Sequence, residues 1–229
     1  MLRAGSPAQR AIYWLGVIMI VVALYAAFIM VPTDKGLGFV QRIFYFHVPS
    51  AWVAFLSFFV VFLAGIMYLR TRQRHWDTIA LSSAEIGVMF TTMALISGSI
   101  FARPTWGTWW TWEPRLTTTL ILWLIYVSYL MLRKLIEEES QRARIAAVFG
   151  IAGFVDVPIV FVSILWWRTM HPLVFTGEEV RMPPIMLYAL IIAVVAFTLF
   201  YAHVLSQRVA LEQARIDLEQ LKQRVGAEA

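Results

Sequence analysis

VPSAWVAFLSFFVVFLAGIMYL, residues 48–69, runs for 22 positions without a charged side chain. A helix rises about 1.5 Å per residue, so about 20 apolar residues cross the roughly 30 Å hydrocarbon core of a bilayer. Inside that core the backbone must satisfy its own hydrogen bonds, which a helix does. The run therefore predicts a membrane-spanning helix. Working outward, five more segments have the same character, near 12–31, 79–101, 117–132, 146–166 and 185–205. Composition agrees: 60% of residues are hydrophobic and 14% charged, with a mean hydropathy of +0.72, against roughly 45–50% apolar usage in soluble domains. A soluble fold of 229 residues could not hide so much apolar surface. The expected fold is an all-α polytopic membrane protein, with a six-helix transmembrane domain over residues 1–205 and a helical tail over 206–229. The first segment exceeds the roughly 7–15 apolar residues of a signal peptide and lacks a small-residue cleavage pattern, so it is expected to stay as a helix.

Six spans put both termini on one side. Thirteen basic residues fall on that side: Arg3, Arg10, Arg70, Arg72, Arg74, Arg133, Lys134, Arg142, Arg144, Arg208, Arg215, Lys222 and Arg224. The other face has six, Lys35, Arg42, Arg103, Arg115, Arg168 and Arg181. Basic residues concentrate in cytoplasmic connections, which makes both termini and the tail cytoplasmic. The same distribution accounts for the pI near 9.7 without a nucleic-acid partner, leaving the lipid bilayer as the expected contact. The chain has no cysteine. Disulfides, iron–sulfur clusters, thiolate metal sites and thioether-linked haem are excluded, and any iron must be held by His, Met, Tyr or carboxylate. In the tail, Leu211, Ala214, Leu218, Leu221 and Val225 alternate at spacings of three and four. Two heptads are too few for an independent coiled coil, so a helix extending the last span and leaning on a partner is expected.

On the outer face stands Trp106-Gly-Thr-Trp109-Trp110-Thr-Trp112-Glu113-Pro114-Arg115-Leu-Thr117, four indoles within seven residues, followed by a carboxylate and a guanidinium. This stretch is too aromatic for an ordinary loop and too punctuated by Gly and Pro to span. It reads as a flat aromatic shelf at the membrane surface, an outer loop over 102–117 facing a large planar ligand. Depth sorts the four histidines. His75 and His203 lie at the cytoplasmic ends of spans, where an imidazole needs no special role. His47, at the outer start of the second span, and His171, beyond the outer end of the fifth, share one depth with the Trp run. Singly, each fits a headgroup belt of interfacial aromatics and cations. Together with Arg42, Arg103, Arg115 and Arg168 they make the inventory of a haem site. Imidazoles can ligate iron from opposite sides, indoles can cover a porphyrin, and guanidiniums can receive propionates.

Two acids fall inside spans, Glu85 and Asp156, the latter just before Pro158. Intramembrane carboxylates are costly, and hydrogen bonding across helices is the expected use of both. Ser97, Gly98 and Ser99 suggest a close helix contact rather than chemistry.

Three blocks, IFYFHVPSAW, WGTWWTWEPRLT and DVPIVFVSILWWRTMHP, are ordered and spaced as in the CcmC family of cytochrome c maturation, part of a wider tryptophan-rich "WWD" haem-handling group. The resemblance covers nearly the whole length. It implies non-covalent haem b at the outer face, with His47 and His171 as axial iron ligands and Trp106, Trp109, Trp110 and Trp112 as the platform. It further implies presentation of haem to the periplasmic chaperone CcmE from the cytoplasmic (inner) membrane, in an ABC-type complex with CcmA, CcmB and CcmD. No GxxxxGK[ST] motif occurs in the chain, so ATP chemistry belongs to a partner and the chain is expected to transfer haem rather than catalyse a reaction. The family usually carries Asp where this chain has Glu113. A longer side chain puts any fixed-distance contact in question, but serves equally if it pairs with Arg115 or caps the helix near Leu116. A second class uses the same ligation: a quinone-linked electron-transfer subunit whose haem turns over electrons in place.

Overall fold

The computed structural model describes residues 6–167, 171, 175–176, 179–180 and 182–228. Helix α1 (Pro7–Tyr25) is started by Ser6, whose hydroxyl accepts from the Gln9 N–H at 3.2 Å, with Pro7 where no N–H is needed. It ends in a π-turn over Ala26–Met30, and a 3-10 turn over Phe39–Ile43 leads into α2 (Phe44–Thr71). Then follow α3 (Arg74–Trp106), α4 (Pro114–Leu135), α5 (Glu139–Gly153), α6 (Asp156–Trp166) and α7 (Pro184–Glu228). A two-residue antiparallel ribbon, β1 (Phe175–Thr176) with β2 (Glu179–Val180), lies between α6 and α7. Among the described residues six helical segments are long and apolar enough to cross a membrane: Pro7–Met30, Phe39–Thr71, Arg74–Trp106, Pro114–Leu135, Glu139–Trp166 and Pro184–Gly226.

The polytopic helical fold is therefore the expected one, with two local differences. The Trp-rich loop is 107–113 rather than 102–117. Gly107 adopts φ 78° and returns its N–H to the Arg103 carbonyl at 3.0 Å, closing α3 only after Trp106, and Pro114 opens α4. The fifth span is broken at Phe154 and Val155. Pro158 has no N–H to give the Phe154 carbonyl, and the Val157 N–H takes it at 3.0 Å, a tighter turn that separates α5 from α6. The last span and the tail form one continuous helix, the extension expected of the tail.

Helix α2 is the centre of the bundle, packed along α3 and against α5 and α7, while α1 lies along α7 and α4 against α3, α5 and α6. The core is aromatic. Phe58 of α2 stacks on Tyr126 of α4 at 3.7 Å between ring centroids, and Gly87 of α3 clears the space, since a Cβ there would meet the Phe58 ring at 2.5 Å. Near the end opposite the Trp loop, Arg133 of α4 donates to both oxygens of Asp77 of α3 at 2.6 and 2.7 Å, and both residues are buried. Arg133, one of the expected cytoplasmic loop charges, is thus a helix residue in a closed ion pair. Glu85 accepts from Arg208 of α7 at 2.6 and 3.0 Å, the cross-helix bond expected of it. The same expectation for Asp156 is not met at Oδ2, which is buried without a hydrogen-bond partner.

Candidate haem-ligand site

At the end of the bundle where α2 begins, α3 ends and α4 begins, the two level histidines are each held through Nδ1. His47, in the first turn of α2, lies 3.1 Å by Nδ1 from the Ser97 hydroxyl of α3. That hydroxyl donates to the Met93 carbonyl at 2.6 Å, so its oxygen accepts and the His47 Nδ1 donates. The ring rests on Gly98, where a Cβ would stand 2.8 Å from His47 Cε1. His171 Nδ1 pairs with Oε1 of Glu113, the residue immediately before α4. A carboxylate only accepts, so Nδ1 again carries the proton. In both imidazoles the lone pair is then on Nε2, the atom able to bind a metal. The two rings lie within electrostatic reach of each other and of Arg115. Burial holds the His171 imidazole below its ordinary pKa and Arg115 adds to this, against the upward pull of Glu113.

The indoles of this end do not form a flat shelf. Trp106 meets the His171 ring edge to face at 5.1 Å, and Trp110 meets Trp112 likewise at 5.7 Å. Edge-to-face contact is what the ring quadrupoles favour between aromatic neighbours. Trp109 and Trp112 keep 57% and 75% of their surface exposed. Ser99 fixes the loop by donating to the Trp109 carbonyl at 2.7 Å. Trp110 Nε1, Thr111 Oγ1 and Thr117 Oγ1 are buried without a hydrogen-bond partner. The Arg115 side chain, half-buried in the first turn of α4, makes no hydrogen bond or ion pair among the described residues.

Arg42 does not join this group. It is buried in the 3-10 turn and its Nη1 donates to the Ala27 carbonyl of the π-turn that follows α1. Arg103 is engaged with the Gly107 carbonyl. Arg168 lies outside the described residues, as do Arg3 and Arg181. Glu113 lies within electrostatic reach of Arg115 but does not cap the helix start. It is the residue before α4, yet its side chain makes no capping bond and instead holds His171. Sequence reasoning missed Ser97, Gly98 and Ser99 as supports. A hydroxyl–glycine–hydroxyl run in the outer half of α3, level with His47, was the available signal.

Fold and site together define a polytopic helical membrane protein that gathers two imidazoles held through Nδ1, several indoles and Arg115 at one end of its bundle. A family profile described as CcmC, heme exporter protein C, matches residues 2–224. A heme exporter protein C of Bradyrhizobium diazoefficiens is 33% identical over 224 residues, covering 93% of this chain and 84% of the relative. The heme exporter protein C of Escherichia coli K12 is 32% identical over 161 residues, covering 69% and 66%. A putative cytochrome c biosynthesis ccmC-like mitochondrial protein of Marchantia polymorpha is 33% identical over 149 residues, covering 65% and 63%. The chain belongs to the heme exporter protein C family.

Proposed function

We propose that this chain handles haem in cytochrome c maturation by holding haem b without a covalent link between His47 and His171 and presenting it to the periplasmic chaperone CcmE. The observation that carries this reading is the pair of imidazoles brought together at one end of the bundle, within electrostatic reach of each other and each held through Nδ1, His47 by Ser97 and His171 by Glu113. The remaining residues fit the rest of such a ligand. Exposed Trp109 and Trp112 with Trp106 and Trp110 offer aromatic faces, and Arg115 and the unpartnered Trp110 N–H suit propionate oxygens. Arg168 is kept as a second propionate partner on its sequence position alone, and Arg42, buried with Nη1 on the Ala27 carbonyl and Nε unpartnered, is set apart from this group. Glu113 acts through His171.

In this reading the site lies on the periplasmic face of the cytoplasmic membrane, both termini and the α7 extension are cytoplasmic, and CcmA, CcmB and CcmD are the membrane partners. The chain transfers its cargo and makes or breaks no covalent bond in it. The optical spectrum of the purified protein tests the reading. A low-spin Soret spectrum that disappears as purified CcmE gains haem supports it. Absence of Soret absorption overturns it, and rapid reduction by quinol without transfer would favour an electron-transfer subunit.

A further inference from the structure

Beyond the last span α7 continues over residues 206–228, about 35 Å of helix at about 1.5 Å per residue. Its two faces differ. Tyr201 and Ile216 are buried, Leu205 packs on the core and Arg208 pairs with Glu85 of α3, so this face is turned to the chain's own bundle. At about 3.6 residues per turn, Leu211, Ala214, Leu218, Leu221 and Val225 fall well away from it, and the four larger ones are 51–64% exposed. A stripe running along a helix that projects beyond its apolar span does not lie against lipid. Its spacing of three and four is that of a coiled-coil seam, with Leu211, Leu218 and Val225 at a and Ala214 and Leu221 at d. That register places Arg215 and Lys222 at e and Asp217 at g.

The flanking charges are complementary to themselves in one orientation only. In a parallel pair a g residue faces the e residue five positions on in the other strand, so Asp217 of each copy meets Lys222 of the other. In an antiparallel pair e faces e, and Arg215 would meet Lys222. Arg215 already pairs with Glu219 of its own helix at 3.3 Å, whereas Lys222 makes no ion pair among the described residues. Asp217 accepts from Gln213 at 2.8 Å through Oδ1, which leaves Oδ2 for a second donor. Two copies inserted in one bilayer share an orientation, so their tails can only run parallel, the arrangement that these charges favour. We infer that the exposed stripe of α7 is the interface between two copies of this chain, packed as a short parallel coiled coil about a twofold axis. Two heptads suffice here although they would not for free peptides. Each helix is already formed as the continuation of a span, and the shared membrane holds the two strands near each other. This pairing lies outside the haem reading and does not depend on it.

The test uses the full chain in its own membranes, co-expressed with two tags of different mass, and the fact that any introduced thiol is the only one. Under mild oxidation Leu218→Cys, on the seam, should give a disulfide-linked dimer carrying both tags, in at least tenfold higher yield than Gln220→Cys on the outer side of the same turn. Ala214→Cys removes no large side chain from the seam and should cross-link as Leu218→Cys does. Adding Asp217→Lys or Lys222→Asp to Ala214→Cys should lower the yield at least fivefold, and adding both should restore it, with helical circular dichroism unchanged throughout. Monomeric mass in both seam variants, or a product that lacks the second tag because another protein occupies the stripe, overturns the inference. Equal yields from Ala214→Cys and Gln220→Cys would mean random collision, and failure of the double exchange to restore the yield would remove the parallel pairing.

Discussion

Gly98 sets how closely α3 can support the His47 imidazole. With a Cβ 2.8 Å from His47 Cε1, Gly98→Ala leaves the ring no room in place, and turning away breaks its bond to Ser97. The expected result is a high-spin or water-ligated haem spectrum with unchanged helical circular dichroism, and a retained low-spin spectrum would show that the contact is not needed. The indoles act by area. Covering roughly 100 Å² of either exposed indole is worth about 2–3 kcal/mol at about 25 cal/mol/Å², so Trp109→Ala or Trp112→Ala should weaken haem retention by that amount. Trp14, 61% exposed on α1, is the control and should be silent. Equal loss from the Trp14 and Trp109 variants would point to general destabilisation. Protons compete for His171, since only its neutral form ligates. Its pKa is lowered by burial, so retention should be complete above the ordinary histidine value of about 6.5 and should fail only as pH drops below it towards the depressed one. Haem release centred above pH 7 in a spectral titration would contradict this sign.

Helices carry depth well and rotation poorly, and this divides what was legible in the chain. Apolar runs fix where each residue sits along the membrane normal, so His47, His171 and the Trp run could be placed at one level from sequence. Which way a side chain points around its axis depends on packing. Arg42 shares the level of the site but is buried, with Nη1 on the Ala27 carbonyl. Ser97 reads as part of a close helix contact, which it is, but its bond to His47 depends on how α3 is turned, and the Glu113–His171 pair joins residues 58 positions apart whose approach no local pattern announces. The break between α5 and α6 was half legible: Pro158 marks it, but the loss of a whole helical register at Phe154 and Val155 follows from how the freed carbonyl is satisfied. Near the opposite end of the bundle, Asp77–Arg133 ties α3 to α4. Removing one partner of a buried pair leaves an uncompensated charge at a cost of about 3–5 kcal/mol, whereas replacing both with apolar residues can be neutral. Asp77→Asn should therefore lower the thermal midpoint in detergent well below that of the Asp77→Leu, Arg133→Leu double variant. The reverse ranking would mean that the pair itself stabilises the bundle.

At the scale of the whole molecule the two ends of the bundle are chemically distinct. One end holds the imidazoles and indoles with Arg115 uncommitted. The other carries most of the basic residues, several already neutralised: Arg74 pairs with Glu139, Arg133 with Asp77, and Arg208 with Glu85 and Glu212. Orientation is governed by the count of Lys and Arg in short connections rather than by net charge, so these pairs do not weaken the assignment of that end to the cytoplasm. The absence of cysteine makes the assignment directly measurable, because any thiol introduced is the only one in the chain. Lys35 is exposed in the connection between the first two spans, and Glu137 is exposed in the connection between α4 and α5, at opposite ends of the bundle. Neither makes a hydrogen bond or ion pair among the described residues, so replacement at either should leave the fold intact. In intact spheroplasts Lys35→Cys should react with a membrane-impermeant maleimide, and Glu137→Cys should react only after the membrane is opened. Labelling of Glu137→Cys from outside would invert the molecule. It would place the histidine and tryptophan end in the cytoplasm, out of reach of a periplasmic acceptor, and the proposed hand-off would fall with it.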